Sequence, residues 1–387
     1  MGLLHDIALS RRALAGFVLI GVAWASYFAQ MPVIKAGLGA SDGTYGTVVL
    51  FASFGAIAAM WLAPLADRFA GPLALPLGAL GVGLGFVWAG AAPGLVGFAL
   101  AMTLASAGSG VVDVLANARL AALEAATGRS LMNLNHGLYS FAYAGAALAV
   151  GAGREAGFAP AQIFTALMGI TLICAAVMAG HERAITDTPA ASRAFPHAPV
   201  VWLVGLLVLA AFLTEASAEG WSALHLERTL GGGPADGALG PAILGLTMGF
   251  GRLAGHAIAR AVPEMAMLSV ALILSAIGLG VAGGAPSLWV AYVGFALTGL
   301  GISVVVPVAL GLLGRAVAPE RRLRAISVAS AIGYAAFFAG PPLMGLVSEG
   351  FSLRVSFYVI SALLMVVLVV LLPPLARSVR TAQTRTA

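Results

Sequence analysis

The chain has 387 residues, 60% of them apolar and only 9% charged, and its mean hydropathy is +1.00. Soluble domains carry about a quarter charged residues, so lipid must be the solvent for most of this surface. A net charge of +5 is too small and too dispersed to point to nucleic acid, and a single cysteine, Cys174, excludes an internal disulfide framework.

Arg11 and Arg12 lead into a long apolar stretch without a small-residue cleavage site, which reads as a first membrane span. A hydrocarbon core about 30 Å thick needs about 20 apolar helical residues. Twelve stretches qualify, near 12–36, 43–66, 72–92, 94–118, 130–153, 160–181, 199–222, 238–260, 265–283, 286–313, 323–347 and 352–372. Turn signals such as Gly39–Gly43, Gly231–Pro234 and Gly283–Pro286 separate them. Their unbroken apolar character excludes a β-barrel, whose strands alternate. The fold class is an all-α polytopic membrane protein of twelve transmembrane helices in two six-helix bundles.

Span one offers Trp24, Tyr27 and Gln30, with Tyr27 roughly sharing a helix face with the other two. Rings and an amide at this depth suit a sugar or another planar polar solute; ordinary packing is the alternative. Span four carries Asp113 and, one turn on, Asn117. A carboxylate at a helix centre costs roughly 3 kcal/mol, so Asp113 should face a cavity or a partner. Spans four and five form a hairpin centred near Ala125, which places Asp113 at the depth of Asn135 and His136. An inner polar cluster of Asp113, Asn117, Asn133 and His136 is therefore expected. It serves a cavity and proton handling, or it glues two helices. Tyr139 follows one turn later as a further candidate solute contact.

Residues 181–198, HERAITDTPAASRAFPHA, form the longest polar stretch near the middle. They divide the chain into a bundle at 1–181, a linker at 182–198 and a second bundle at 199–387. The halves echo each other: Tyr139 stands six residues before Gly145 in YSFAYAG, and Tyr334 six before Gly340 in YAAFFAG.

Span seven begins PVVWLVGLLVLAAF and continues LTEASAEGWSALHL, so Glu215 and Glu219 share one face near the end of an apolar helix. At about 1.5 Å per residue from Pro199, Glu215 lies about 24 Å in, and Glu219 approaches the far surface. Glu219 reads first as an interfacial acid in water, Glu215 first as a functional acid. Trp221 is either a solute platform or a member of an interfacial aromatic belt. Farther on, Pro307, Pro341 and Pro342 are expected to bend their helices.

Fifteen of the 20 cations fall on one side if the N-terminus is cytoplasmic, against Lys35, Arg154, Arg228 and Arg354 outside and Arg252 within a span. This asymmetry puts both termini in the cytoplasm.

The loop APLADRFAG (63–71) resembles the G-x-x-x-D-R-x-G signature of the major facilitator superfamily, with Asp67 and Arg68 at its charged core. Ala63 stands where the first Gly is usual, and the closing Gly is replaced by Ala70 or displaced to Gly71. In the second half GFGRLAGHAIAR (249–260) carries Arg252, with His256 where an acid would be expected. The resemblance implies that Asp67, Arg68 and Arg252 brace conformational gating. SGVVDVLANARLAALE (109–124), LNHGLYSFAYAGA (134–146) and EASAEGWSALHL (215–226) are similar to the fucose-permease-like branch, which implies a sugar or small metabolite.

No G-x-x-x-x-G-K-[ST] loop and no H-E-x-x-H helix occur, and no nucleophile elbow is expected, so an enzyme is not expected. The expected protein is a bacterial inner-membrane secondary transporter, monomeric, partnered by a small-molecule substrate, protons and the lipid bilayer. It has no cofactor, no metal and no nucleic-acid partner. An efflux antiporter and a non-transporting receptor or scaffold are the alternatives. Glu215, Glu219, Asp113 and His136 are the candidate proton-coupling groups; Trp24, Tyr27, Gln30, Asn117, Asn133, Tyr139 and Trp221 the candidate solute contacts.

Overall fold

A computed structural model describes residues 3–129, 131–180, 199–258 and 261–386. The expected linker at 182–198 lies outside the described residues. Helices α1 (Leu3–Phe28), α2 (Met31–Gly37), α3 (Asp42–Ala70), α4 (Ala74–Gly90), α5 (Leu95–Thr127), α6 (Leu131–Glu155) and α7 (Pro160–Met178) build one half. The other comprises α8 (Pro199–Leu224), α9 (Pro234–Ile258), α10 (Glu264–Gly284), α11 (Leu288–Ala316), α12 (Pro319–Gly350), α13 (Leu353–Val366) and α14 (Leu372–Thr386). α1 with α2, and α13 with α14, each make a single pass, so the twelve expected spans are present in two six-helix bundles.

The two interruptions have chemical causes. Gln30 ends α1, and α2 restarts with Pro32 in its first turn, where a missing N–H costs nothing. A π turn at Val367–Leu371 precedes Pro373 and Pro374, where two backbone donors are missing. Asp67 and Arg68, expected in a loop, lie instead in the last turn of α3. Gly71 caps that helix with φ of 51° and donates its N–H to the Asp67 carbonyl. The glycine that ends the signature is thus displaced to 71, the one place where left-handed backbone is needed.

Nine helical stretches of the described residues are long and apolar enough to cross a membrane, and one of them, Asp42–Gly90, holds two helices. α6 and α9 are not among them. Their sequences carry the polar load instead: Asn135, His136, Tyr139, Ser140 and Tyr143 on α6, Thr247 and Arg252 on α9. α6 packs on α9, and α3 packs on α12, and these two pairs join the halves. Gly245 and Gly249 of α9 admit the Tyr143 ring and Ser140, which a Cβ at either position would strike. This is the small-xxx-small solution by which membrane helices approach closely.

The α3–α12 contact rests on a proline. Pro341 has no N–H, so the Phe337 carbonyl one turn earlier loses its helical partner. Ser53 of α3 donates its hydroxyl to that carbonyl at 2.7 Å. In a membrane interior an orphan carbonyl has no water to turn to, so another helix supplies the donor.

Ser53→Ala is expected to cost about 1 kcal/mol, the scale of a membrane interhelical hydrogen bond. In a Pro341→Ala background, where the restored N–H serves Phe337, the same change should cost less than half as much in thermal unfolding. Equal costs in the two backgrounds would contradict this pairing.

Candidate functional site

α1 begins, and α6, α8 and α12 also begin, at one end of the bundle, here the terminal face; α3, α5, α9 and α11 begin at the opposite face. The hairpin arithmetic for α5 and α6 holds in the structure. Asn117 donates its side-chain amide to the Asp113 carboxylate at 3.0 Å, and its carbonyl oxygen lies 3.3 Å from His136 Nε2. Asp113 and His136 are therefore joined through Asn117. The His136 ring also packs on Phe17 of α1, 4.6 Å between centroids. Asn133 is exposed in the first turn of α6 and makes no bond to this group. The buried amide on that helix is Asn135, which donates to Ser10 at 3.0 Å and to the Leu131 carbonyl.

A second polar group joins the halves beside the first. Arg252 lies 3.9 Å from the Glu215 carboxylate, with side chains 32% and 25% exposed, and donates to Ser140 at 3.3 Å. Arg252 thus sits inside the bundle against α6 and α8. Glu219 is only partly exposed, where the sequence suggested an acid in surface water. α8 continues to Leu224 and through a π turn at His225–Thr229, so Glu219 lies well before the helix end. It faces Tyr143, a residue 1% exposed whose buried hydroxyl completes no hydrogen bond among the described residues. Tyr139, one turn away, lies within electrostatic range of Asp113, Glu215, Glu219 and Arg252.

Nearer the opposite face the interior is sealed. Trp24 donates its indole N–H to Ser109 at 3.1 Å and stacks edge-on against Tyr27. The Tyr27 and Tyr45 hydroxyls are 2.8 Å apart, and Tyr45 meets Trp221 edge-on across the halves, at 6.3 Å. Tyr27, Gln30 and Trp221 are buried, which removes Trp221 from any interfacial belt. The Gln30 amide donates to the Ser26 carbonyl at 2.9 Å.

Ion pairs finish the seal. Asp42 of α3 holds Lys35 at 2.8 Å and, across the halves, Arg228 at 2.6 Å. Arg154 of α6 makes a two-pronged pair with Glu227 beyond α8, at 2.6 and 2.9 Å. Glu349 of α12 accepts from Ser41 at 2.7 Å and from the Gly43 N–H at 2.6 Å. At the terminal face the pairs between described residues stay within one half: Asp6 with Arg129, Asp67 with Arg119, and Glu264 with Arg315. Arg68 lies over the Phe69 ring, 5.4 Å from its centre. Of the three candidate gating residues, Asp67 and Arg68 stand at a bundle end, whereas Arg252 belongs to the polar centre.

Residues 39–43, GASDG, fit G-x-S-x-G, the pattern of a nucleophile elbow that the sequence was expected to lack. Ser41 caps α3, accepting the Thr44 N–H at 3.2 Å, in a helix–turn–helix setting that lacks the strand an elbow requires. No group of three metal-ligating side chains occurs among the described residues.

Sequence reasoning missed Ser140, Tyr143, Tyr45 and an aromatic trio, Phe212, Tyr334 and Phe337. Tyr334 had a signal: it occupies the position of Tyr139 in the repeated motif, and both tyrosines lie within electrostatic range of Asp113.

Residues 263–386 match the profile of the Major Facilitator Superfamily. An uncharacterized MFS-type transporter of Yersinia pestis is 30% identical over 362 residues, 91% of this chain and 92% of that protein. Among solved structures, a bacterial homolog to the human lysosomal transporter Spinster, inward-facing and occupied, superposes with a TM-score of 0.73 at 17% identity. It covers 97% of this chain and 96% of its own. A D-xylose-proton symporter gives a TM-score of 0.73 at 14% identity, covering 95% and 97%. These structural likenesses establish the fold.

A buried hydroxyl without a partner costs about 1–3 kcal/mol. Tyr143→Phe should therefore unfold at the same temperature as the wild type or higher. A lower midpoint would mean that the hydroxyl is bonded and not held idle beside Glu219.

Proposed function

Because the chain belongs to the major facilitator superfamily, we propose that this transporter moves a small, sugar-like polar solute by proton-coupled alternating access. One observation carries the coupling: Glu215 and Glu219 stand one turn apart in the membrane interior, and a single arginine, Arg252, faces them. Arg252 balances one carboxylate. The other must be hydrated, protonated or matched by a cation whenever the site closes. Glu215 is the nearer to Arg252, and Glu219 is the acid that takes and releases the proton. The sequence alone favoured Glu215 for that task; the position of Arg252 favours Glu219, with Tyr143 beside it.

Asp113, Asn117 and His136 supply a second polar wall, and Tyr139 stands between the two. Trp24 contributes an indole edge. Similarity to the fucose-permease-like branch and a fold shared with a D-xylose-proton symporter support the sugar-like reading. The charge bias supports a bacterial inner-membrane protein with both termini cytoplasmic. In that orientation the sealed face is external, and the described conformation is closed to the outside. Residues 1–181 and 199–387 then rock against each other, as in other transporters built from repeats. The α3–α12 and α6–α9 contacts part at the outer end, and helix ends braced by Asp67 and Arg68 close the inner one.

In proteoliposomes challenged with sugars and nucleosides, one solute should drive proton movement reported by an internal pH dye. Glu219→Gln should abolish that proton movement while leaving exchange of the labelled solute. Proton movement that survives Glu219→Gln but not Glu215→Gln would return the coupling role to Glu215; survival in both would reject coupling through α8.

Loss of a well-shielded ion pair is costly only in the conformation that forms it. Arg154→Gln should therefore shift the balance toward the outward-open state by about tenfold or more. A cysteine replacing Tyr45 in a Cys174→Ala background should then react faster with an external, membrane-impermeant thiol reagent. An unchanged rate would show that the Arg154–Glu227 pair does not hold this face shut.

A further inference from the structure

Three aromatic rings of the second half are left over by the coupling scheme. Phe212 of α8 stacks on Tyr334 of α12 with centroids 5.5 Å apart and planes 19° from parallel. Phe337 lies 5.5 Å from Phe212 and 5.9 Å from Tyr334, so the three form one platform. Tyr334 is 39% exposed and yet within electrostatic range of Asp113 in the opposite half. Its partly exposed ring therefore stands on the Asp113 side of the second half. Asp113 is bonded there by the neutral amide of Asn117 and forms no ion pair with a described cation. The site as a whole holds three carboxylates against Arg252. It also contains a nearly fully buried, unbonded hydroxyl, Tyr143, turned to Glu219.

We propose that the solute carries a positive charge, and that an organic ammonium group binds between the Asp113 carboxylate and the Phe212–Tyr334–Phe337 platform. This deepens the transport reading and rests on it. A carboxylate supplies charge and a hydrogen-bond acceptor; ring faces supply the negative side of their quadrupoles, which attract a cation within about 6 Å of the ring centre. A neutral sugar would satisfy the hydroxyl-bonding groups but leave Asp113 without a counter-charge on closure, at the desolvation cost of an isolated carboxylate. With an ammonium at Asp113 and a proton at Glu219, the two acids without an arginine each have their own cation, and Arg252 keeps Glu215.

Matched probes test the charge without knowledge of the physiological solute. Purified full-length protein is titrated with choline against its neutral isostere 3,3-dimethylbutan-1-ol, and with glucosamine against glucose, at constant ionic strength. The readout is the midpoint of thermal unfolding, since a ligand of the native state raises it by mass action. In at least one pair the ammonium member should bind about tenfold more tightly. Asp113→Asn and Tyr334→Leu should each remove that preference, while Tyr334→Phe, which keeps the ring face, should retain it. Each variant's unliganded midpoint and monodisperse elution verify its folding. Equal stabilisation by the neutral member in both pairs, or no response to either ammonium, overturns the proposal. So does a preference that persists in both Asp113→Asn and Tyr334→Leu. Stabilisation by glucose without ammonium preference would remove the charge claim alone; the transport reading stands or falls with the solute-driven proton movement described above.

Discussion

A carboxylate inside a membrane has three tolerable states: hydrated, paired or neutral. Most of the unusual features of this molecule follow from that restriction. Asp113, Glu215 and Glu219 are placed where two bundles meet, the one part of a twelve-helix membrane protein that can be wet in one conformation and dry in another. Arg252 can satisfy one of them at a time. The helices that carry the polar neighbours of these acids, α6 with His136, Tyr139 and Tyr143 and α9 with Arg252, have given up apolarity to do so. They remain in the bundle because Gly245 and Gly249 let Tyr143 and Ser140 pack into α9.

The same restriction shapes the opposite end. Asp42, Glu227 and Glu349 are all engaged there, and each reaches or is reached from the other half. The bonds that cross between the halves need that end to be shut. Below them Tyr27, Tyr45 and Trp221 close the path with rings. The energy that holds this end closed is thus local, made of pairs that open water can replace, which suits the proposed alternation between two states. The Ser53 bond to the Phe337 carbonyl belongs to the same interface. Pro341 frees an acceptor, and the freed acceptor ties α12 to α3.

Much of this was legible in the sequence. Hydrophobic length gave twelve spans. Distance from a hairpin centre placed Asp113 level with His136, because two helices joined by a short turn must keep equal depth. Asn133 did not follow, since it falls in the first turn of α6, beyond the packed interior. The depth of Glu219 was misjudged for a different reason. Counting from Pro199 assumed that the helix ended soon after Trp221, whereas α8 and its π turn run on to Thr229. The pairing of Arg252 with Glu215 had no local signal at all. It depends on how two helices of the second half pack, and the motif around Arg252 pointed to a bundle end. Tyr334 was visible as the partner of Tyr139 in the repeat, but only the folded chain brings both tyrosines within electrostatic range of one aspartate.

The central claim is that Glu219 changes its protonation as its surroundings change. Infrared difference spectroscopy follows that directly, because a protonated carboxyl group has a carbonyl stretch that the carboxylate lacks. The account predicts a pH-dependent carboxyl band in the reconstituted wild-type protein that disappears in Glu219→Gln and persists in Glu215→Gln. A band that is unchanged in Glu219→Gln, or one that vanishes only in Glu215→Gln or Asp113→Asn, would contradict it.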